Sequence, residues 1–115
     1  MRGIEGEQAL LRIILSESRT HGGIPLHRVI LDLLRAEGLA GVTVLKGHSG
    51  FGHDREVHTV AIEVAAVGLP IVLEVVDTEE RMEAVFTKLD RLLAGGVVTL
   101  ERARVIRYAG IPPTA

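Results

Sequence analysis

The chain has 115 residues, a formal net charge of −2 and no cysteine. Its length fits one domain with one modest core. Hydrophobic residues make up 47% of the sequence but aromatic residues only 3%, so Val, Leu, Ile and Ala must build the core. The near-neutral charge and scarce aromatics argue against nucleic-acid binding. The absence of cysteine excludes disulfides, thiolate metal sites and thiol catalysis.

The sequence also limits where the protein works. No apolar run approaches the roughly 18 residues that a membrane helix needs. The N-terminus, MRGIEGEQ, is charged where a secretion signal would be apolar. We therefore expect a cytoplasmic protein that does not insert into a membrane. We expect residues 1–8 to be a flexible N-terminus, residues 9–109 a single domain and residues 110–115 a tail.

The first half of the chain predicts a strand, a helix and a second strand. Residues 9–17 are rich in Leu and Ile, and the turn-forming segment SRTHGG follows. The next segment begins at Pro25 and ends at Gly38, which suit the first turn and the C-terminal cap of a helix. Its apolar residues recur at helical spacing; they are Leu26, Val29, Ile30, Leu33 and Leu34. The segment VTVLKG, residues 42–47, predicts the next strand.

Three further strands are predicted in the second half. They are VHTVAIEVA (residues 57–65), LPIVLEVVD (69–77) and VVTLERARVIRY (97–108). The middle one is apolar on both faces apart from Glu74, which is typical of a buried strand. We expect Glu74 to form an ion pair with an arginine such as Arg12 across the sheet.

A second helix is predicted between the last two strands. Asp77 and Glu80 have the spacing of a helix start signal, and Gly95 and Gly96 end the helical pattern. The apolar stripe of this helix consists of Met82, Val85, Phe86, Leu89, Leu92 and Leu93.

This order of elements predicts an α+β fold. It corresponds to a ferredoxin-like βαββαβ sandwich with an extra strand or hairpin in the loop after the second strand. Two helices cover only one face of such a sheet, yet residues 13–15 and 71–76 carry apolar side chains at both odd and even positions, and so on both faces. Because a soluble monomer rarely exposes a large apolar surface, we predict a homo-oligomer whose sheets pack together. The alternative is that Arg and Lys stems or the tail cover this face.

The segment LKGHSGFGHDREVHT, residues 45–59, is the strongest candidate for a functional site. Gly47, Gly50 and Gly52 would let backbone amides approach an anion, and Lys46 adds a positive charge. The pattern is neither a P-loop nor a dinucleotide-binding fingerprint. The other interpretations are a plain turn and a mobile signalling loop.

Metal binding and catalysis are further interpretations of this loop. His48, His53 and His58 are spaced by five residues, so they would converge on a metal ion only if the loop folded to bring them together. Ser49, Asp54 and the nearby histidines supply the residue types of a nucleophilic site, but neighbours on a flexible loop seldom hold reactive geometry. We expect no enzymatic activity and no cofactor.

Three parts of the sequence together resemble the PII-like signalling protein superfamily, most closely its uncharacterised domain-of-unknown-function group. EGLAGVTVLKGHSGFG is similar to the segment that leads from the first PII helix into the base of the T-loop. LERARVIRYAG is similar to the last PII strand. The span from Leu10 to Tyr108, including residues 16–18, GFG and LPIVLEVVD, resembles the uncharacterised group. Residues 16–18, Ser-Glu-Ser, are either ligand contacts or polar residues before the helix.

The resemblance implies a homotrimer of ferredoxin-like subunits. It implies a small ligand, an adenine nucleotide or another small anion, bound in clefts between subunits, and a flexible loop that signals to a protein target. The implied ligand-binding residues are Lys46, Gly47, Gly50, Phe51, Gly52, His53 and Arg107.

The chain departs from the PII pattern in several places. His53 stands where PII proteins have an arginine after Gly-Phe-Gly, and His48 and Ser49 are inserted before this motif. The segment LAGGVVT lacks the lysine of the PII glycine-rich loop, and Tyr108 is the only tyrosine, which leaves no basis for uridylylation of the loop. The alternative functions are a divalent-metal-binding trimer that uses the loop histidines and a purely structural oligomer.

Overall fold

The computed structural model describes residues 4–51, 58–59, 68–93 and 95–108. These residues form one four-stranded sheet, two short two-stranded ribbons and two helices. The elements are β1 (Gly6–Ser16), β2 (Thr20–His21), β3 (Ile24–Pro25), α1 (Leu26–Ala36), β4 (Val42–Lys46), β5 (Ser49–Gly50), β6 (His58–Thr59), β7 (Pro70–Asp77), α2 (Glu79–Leu92) and β8 (Val97–Val105). None of the helices in these ranges has the length and apolar character to cross a membrane.

The main sheet has the order β4-β7-β1-β8, and all neighbouring strands are antiparallel. Successive side chains of a strand point to opposite faces, and the odd-numbered residues from Ala9 onward in β1 and throughout β7 are the buried ones. These residues pack against the apolar sides of α1 and α2 in a single core. The core consists of Ala9, Leu11, Ile13, Leu15, Leu26, Ile30, Leu34, Ile71, Leu73, Val75, Met82, Val85 and Leu89. This arrangement confirms the predicted ferredoxin-like α+β fold.

The first strand and its loop differ from the prediction. β1 begins at Gly6 rather than at residue 9, because its first residues already pair with β8, Gly6 with Val105. The predicted boundary between residues 8 and 9 therefore falls inside β1. The β2–β3 hairpin begins within the segment predicted as a loop, and its two turn residues, Gly22 and Gly23, have φ of +59° and +81°. Such a turn matches the natural twist of a hairpin.

Helix α1 ends as the sequence predicts. The N–H of Gly38 donates to the carbonyl of Arg35 (3.1 Å), and the N–H of Leu39 donates to that of Leu34 (3.3 Å). With φ of +78° at Gly38, these bonds form a Schellman cap, which favours glycine at that position. The helix starts one residue later than predicted, because Pro25 occupies the N-cap and belongs to β3.

The predicted start of α2 is wrong by one residue. Thr78, not Asp77, is the N-cap, and its hydroxyl accepts a hydrogen bond from the N–H of Arg81 (3.2 Å). Asp77 is fully buried at the end of β7. Its carboxylate accepts from the N–H groups of Ala40 (2.8 Å) and Thr78 (2.7 Å). Asp77 therefore fastens the loop after α1 to the junction between β7 and α2.

The extra hairpin after the second main strand is present as β5 and β6, where Ser49 pairs with Thr59 and Gly50 with His58. Most of the strand predicted over residues 57–65 lies outside the described residues, as does the tail from residue 109. β8 ends at Val105, before the predicted end at residue 108.

Candidate functional site

Lys46 and Gly47 lie where the edge strand β4 ends beside the start of β7. The N–H of Gly47 donates to the carbonyl of Pro70 at 2.6 Å. A Cβ atom on Gly47 would lie 2.3 Å from Cγ of Pro70, which is far inside van der Waals contact. Glycine is therefore required here for close packing against β7, in addition to any role of its backbone in binding.

The positive charge of Lys46 is paired within the subunit. Its Nζ lies 3.0 Å from Oε2 of Glu17, whose side chain is only 18% exposed. The backbone of Glu17 is fixed in turn, because its N–H donates to the carbonyl of Leu69 at 2.8 Å. Glu17 is the contact that sequence reasoning missed, since nothing in the spacing of residues 17 and 46 indicates that they meet. An anion at Lys46 must share the ammonium with this carboxylate.

The remaining predicted loop residues are only partly described. Gly50 belongs to β5, and Phe51 follows it with 61% of its surface exposed. Gly52 and His53 lie outside the described residues, so their predicted roles stay predictions. Within the described ranges, no three His, Asp or Glu side chains cluster closely enough to hold a metal ion. The three-histidine interpretation includes His53 and has no support from the structure.

Arg107 lies at the other end of the sheet. It follows β8, whose last residue pairs with Gly6 at the start of β1, whereas Lys46 lies level with the end of β1. The two residues also belong to opposite edges of the sheet. The level of Lys46 and the level of Val105 are nine residues apart along β1, which is roughly 30 Å at about 3.3 Å per residue. One subunit therefore cannot bring Lys46 and Arg107 to the same small ligand.

The sheet face opposite the helices, called the open face below, carries an apolar row. The row crosses all four strands, and each residue in it pairs with the next one on the neighbouring strand. From β8 to β4 these residues are Val97, Ile14, Val72 and Leu45. Val97 is 54% exposed and Leu45 is 47% exposed, while Ile14 and Val72 are half-buried. The sequence-based expectation of a second apolar face is thus confirmed for the described strands.

A charged group lies next to this row on the open face. Nε of Arg12 lies 2.7 Å from Oε2 of Glu74, and Nη1 of Arg12 also contacts the carboxylate of Glu101. The hydrogen bond to Glu74, helped by the charge of Glu101, raises the pKa of the Arg12 guanidinium. The predicted pair between Arg12 and Glu74 is confirmed. Because one guanidinium balances only one of the two carboxylates, this group leaves a net negative charge beside the apolar row.

Solved structures of PII-like proteins have a fold similar to this one, and two of them illustrate the likeness. One is CPII, a nitrogen regulatory PII-like protein from Thiomonas intermedia K12 bound to ADP, AMP and bicarbonate; its TM-score is 0.67 at 21% identity, over 88% of this chain and 90% of that one. The other is a putative PII-like signaling protein (TTHA0516) from Thermus thermophilus, with a TM-score of 0.66 at 17% identity, over 90% of this chain and 94% of that one.

The chain belongs to the DUF190 family, whose model, described as "Uncharacterized ACR, COG1993", matches residues 8–105. It is 30% identical over 100 residues to a UPF0166 protein of Aquifex aeolicus (strain VF5), covering 87% of this chain and 94% of the relative. It is 38% identical over 80 residues to the UPF0166 protein MJ1524 of Methanocaldococcus jannaschii, covering 70% and 73%. The predicted resemblance to the uncharacterised PII-like group is confirmed.

Proposed function

We propose that the protein is a cytoplasmic, non-enzymatic PII-like regulator that works as a homotrimer. It binds an adenine nucleotide or a similar small anion in the clefts between subunits and signals to a protein target through the loop that follows β4. The proposed ligand-binding residues are Lys46, Gly47, Gly50, Phe51, Gly52, His53 and Arg107. The likeness of the fold to CPII, whose structure contains ADP, AMP and bicarbonate, supports this choice of ligand.

The observation that carries the proposal is the separation of Lys46 from Arg107. In a ring of subunits, the Lys46 end of one sheet can lie beside the Arg107 end of the next. A ligand in that seam would then be held by two subunits, and its binding would depend on assembly. The apolar row of the open face supports the ring, because the row gains stability only when another protein surface covers it.

Signalling follows from the position of the loop. The loop begins directly after Lys46. A ligand bound at Lys46 and Gly47 would therefore contact the residues at which the loop leaves the sheet. The exposed Phe51 gives the loop an apolar group that a target protein could bind. The effect of the ligand on the target cannot exceed the difference between its affinities for the two loop states.

Isothermal titration with ADP tests the proposed site. We expect Lys46→Ala and Arg107→Ala each to weaken binding by roughly tenfold or more, because each removes a charged hydrogen-bond donor. Arg104→Ala is the matched control: Arg104 is an exposed arginine on β8 near Arg107, and its loss should leave ADP binding unchanged.

Mixing the two weakened variants tests whether neighbouring subunits share the site. If Lys46 and Arg107 act from neighbouring subunits, refolding the Lys46→Ala and Arg107→Ala chains together restores about a quarter of the clefts by random assortment in a trimer. Recovery of high-affinity ADP binding to that extent supports the proposal. Binding that fails to recover after mixing, although each variant is folded and assembled, contradicts a site shared between subunits.

A further inference from the structure

A second basic side chain lies at the same end of the sheet as Lys46. Arg19 is half-buried, yet it forms no ion pair with any carboxylate in the described part of the chain. Its backbone is held firmly: its N–H donates to the carbonyl of Ser16 (3.1 Å), and its carbonyl accepts from the N–H of Leu26 (2.8 Å). A guanidinium without an anionic partner in the described residues has unused capacity to bind an anion.

Two hydroxyl groups belong to the same turn as Arg19. The turn runs from Ser16 to Arg19 and is closed by the hydrogen bond between these residues. Oγ of Ser16 and Oγ of Ser18 lie 2.8 Å apart, and Oγ of Ser16 also accepts from the N–H of Ser18 (3.2 Å). One hydroxyl proton is used between the two serines, so the other can be donated to a ligand.

The guanidinium also faces a turn that has no side chains. Nη1 of Arg19 would lie 3.4 Å from a Cβ atom on Gly95. Gly95 and Gly96 have φ of +91° and +90°, and a Cβ atom on Gly96 would lie 2.9 Å from the carbonyl oxygen of Ile14, so this turn disfavours any residue but glycine. Gly95 also lines a groove of about 560 Å³ between α2 and β8, together with the apolar Phe86 and Val98 and the acidic Asp90.

We propose that Arg19, Ser16 and Ser18 bind the phosphoryl group of the ligand, with the Gly95–Gly96 turn leaving room for it. A phosphoryl group offers several acceptor oxygens in a tetrahedral arrangement, which suits a guanidinium fork and neighbouring hydroxyls. The neighbouring Glu17 does not oppose this, because Lys46 neutralises it. The groove beside Gly95 accommodates the rest of a phosphorylated small molecule. This inference rests on the proposed function only for the nature of the ligand.

Phosphorus NMR of inorganic phosphate tests the phosphoryl site without a nucleotide. We expect the phosphate resonance to broaden on addition of the wild-type protein and to stay sharp with Arg19→Gln. Arg35→Gln is the matched control, because Arg35 is an exposed arginine in the last turn of α1, and it should broaden the resonance as the wild type does. Ser18→Ala should reduce the broadening while leaving the melting temperature unchanged.

Titrations with ADP and adenosine connect the site to the nucleotide. Arg19→Gln should weaken ADP binding by roughly tenfold to a hundredfold, as expected for losing hydrogen bonds from a charged donor, and should leave adenosine binding unchanged. If the wild type binds phosphate, Arg19→Gln does not, and the wild type does not bind ADP, this inference is supported and the nucleotide proposal is contradicted. If Arg19→Gln binds phosphate and ADP as tightly as the wild type, the inference is overturned and the proposed function stands.

Discussion

Val97→Asp introduces a carboxylate into the apolar row of the open face, and Val98→Asp is its matched control. The two valines are adjacent on β8, with 54% and 43% of their surfaces exposed, but they point to opposite faces of the sheet. Val97 pairs with Ile14 on the open face, and Val98 pairs with Ile13 on the helix side. If sister subunits cover the open face, the aspartate at residue 97 enters that interface and the aspartate at residue 98 does not.

The expected effect can be estimated from the exposure of Val97. Full burial of a valine side chain contributes about 1.5–3 kcal/mol, so covering the exposed half contributes about 1 kcal/mol per subunit. Val97→Asp loses this contribution and in addition withdraws a carboxylate from water, which costs several kcal/mol per site. Because every 1.4 kcal/mol changes an equilibrium constant about tenfold, the dissociation constant of the oligomer should increase by at least roughly two orders of magnitude.

Sedimentation velocity at micromolar concentration measures the outcome, with circular dichroism to verify that both variants are folded. We predict that Val97→Asp sediments as a folded single subunit and that Val98→Asp stays assembled like the wild type. An assembled Val97→Asp protein of unchanged stability would refute the claim that the open face is an interface. Equal dissociation of both folded variants would refute the assignment of the interface to that face.

Three further predictions concern the packing at Gly47, the hydrogen bonds of Asp77 and the response of the loop to ADP. Gly47→Ala should lower the free energy of unfolding by roughly 1–3 kcal/mol, because its Cβ overlaps the proline ring of β7, whereas Gly41→Ala, with open space around the new atom, should be near neutral in the same urea titration. Asp77→Ala should cost roughly 2–4 kcal/mol, because it strips the acceptor from the N–H of Ala40 and from that of the next residue; an unchanged unfolding midpoint would contradict this. Saturating ADP should slow proteolytic cleavage between residues 51 and 56, and equal cleavage rates with and without ADP would remove the support for ligand-ordered signalling.

The sequence predicted those features that local pattern determines. The helical spacing from Leu26 to Leu34 and the glycine at residue 38 located α1 to within a residue, because amphipathic periodicity and a left-handed cap are both local properties. The pairing of Arg12 with Glu74 could also be predicted. A lone acid in an apolar strand needs a cation on the same face of the sheet.

Features set by distant contacts could not be predicted. Asp77 and Thr78 are both good N-cap residues, and only the approach of Ala40 decides that the carboxylate of Asp77 is used elsewhere. The pair of Lys46 and Glu17 likewise depends on how the ends of β1 and β4 meet across β7. The sequence also does not show how far Arg107 lies from Lys46 within one subunit, and the fold places Arg107 at the far end of the sheet.

Native mass spectrometry of the wild-type protein with ADP tests the central claim most directly, because it reports assembly and ligand binding on the same particle. We predict a species of three times the 12.4 kDa chain mass that carries up to three ADP molecules, and that loses them in the Lys46→Ala and Arg107→Ala variants. A folded species of 12.4 kDa, or a single chain that binds ADP on its own, would contradict a ligand site formed between subunits.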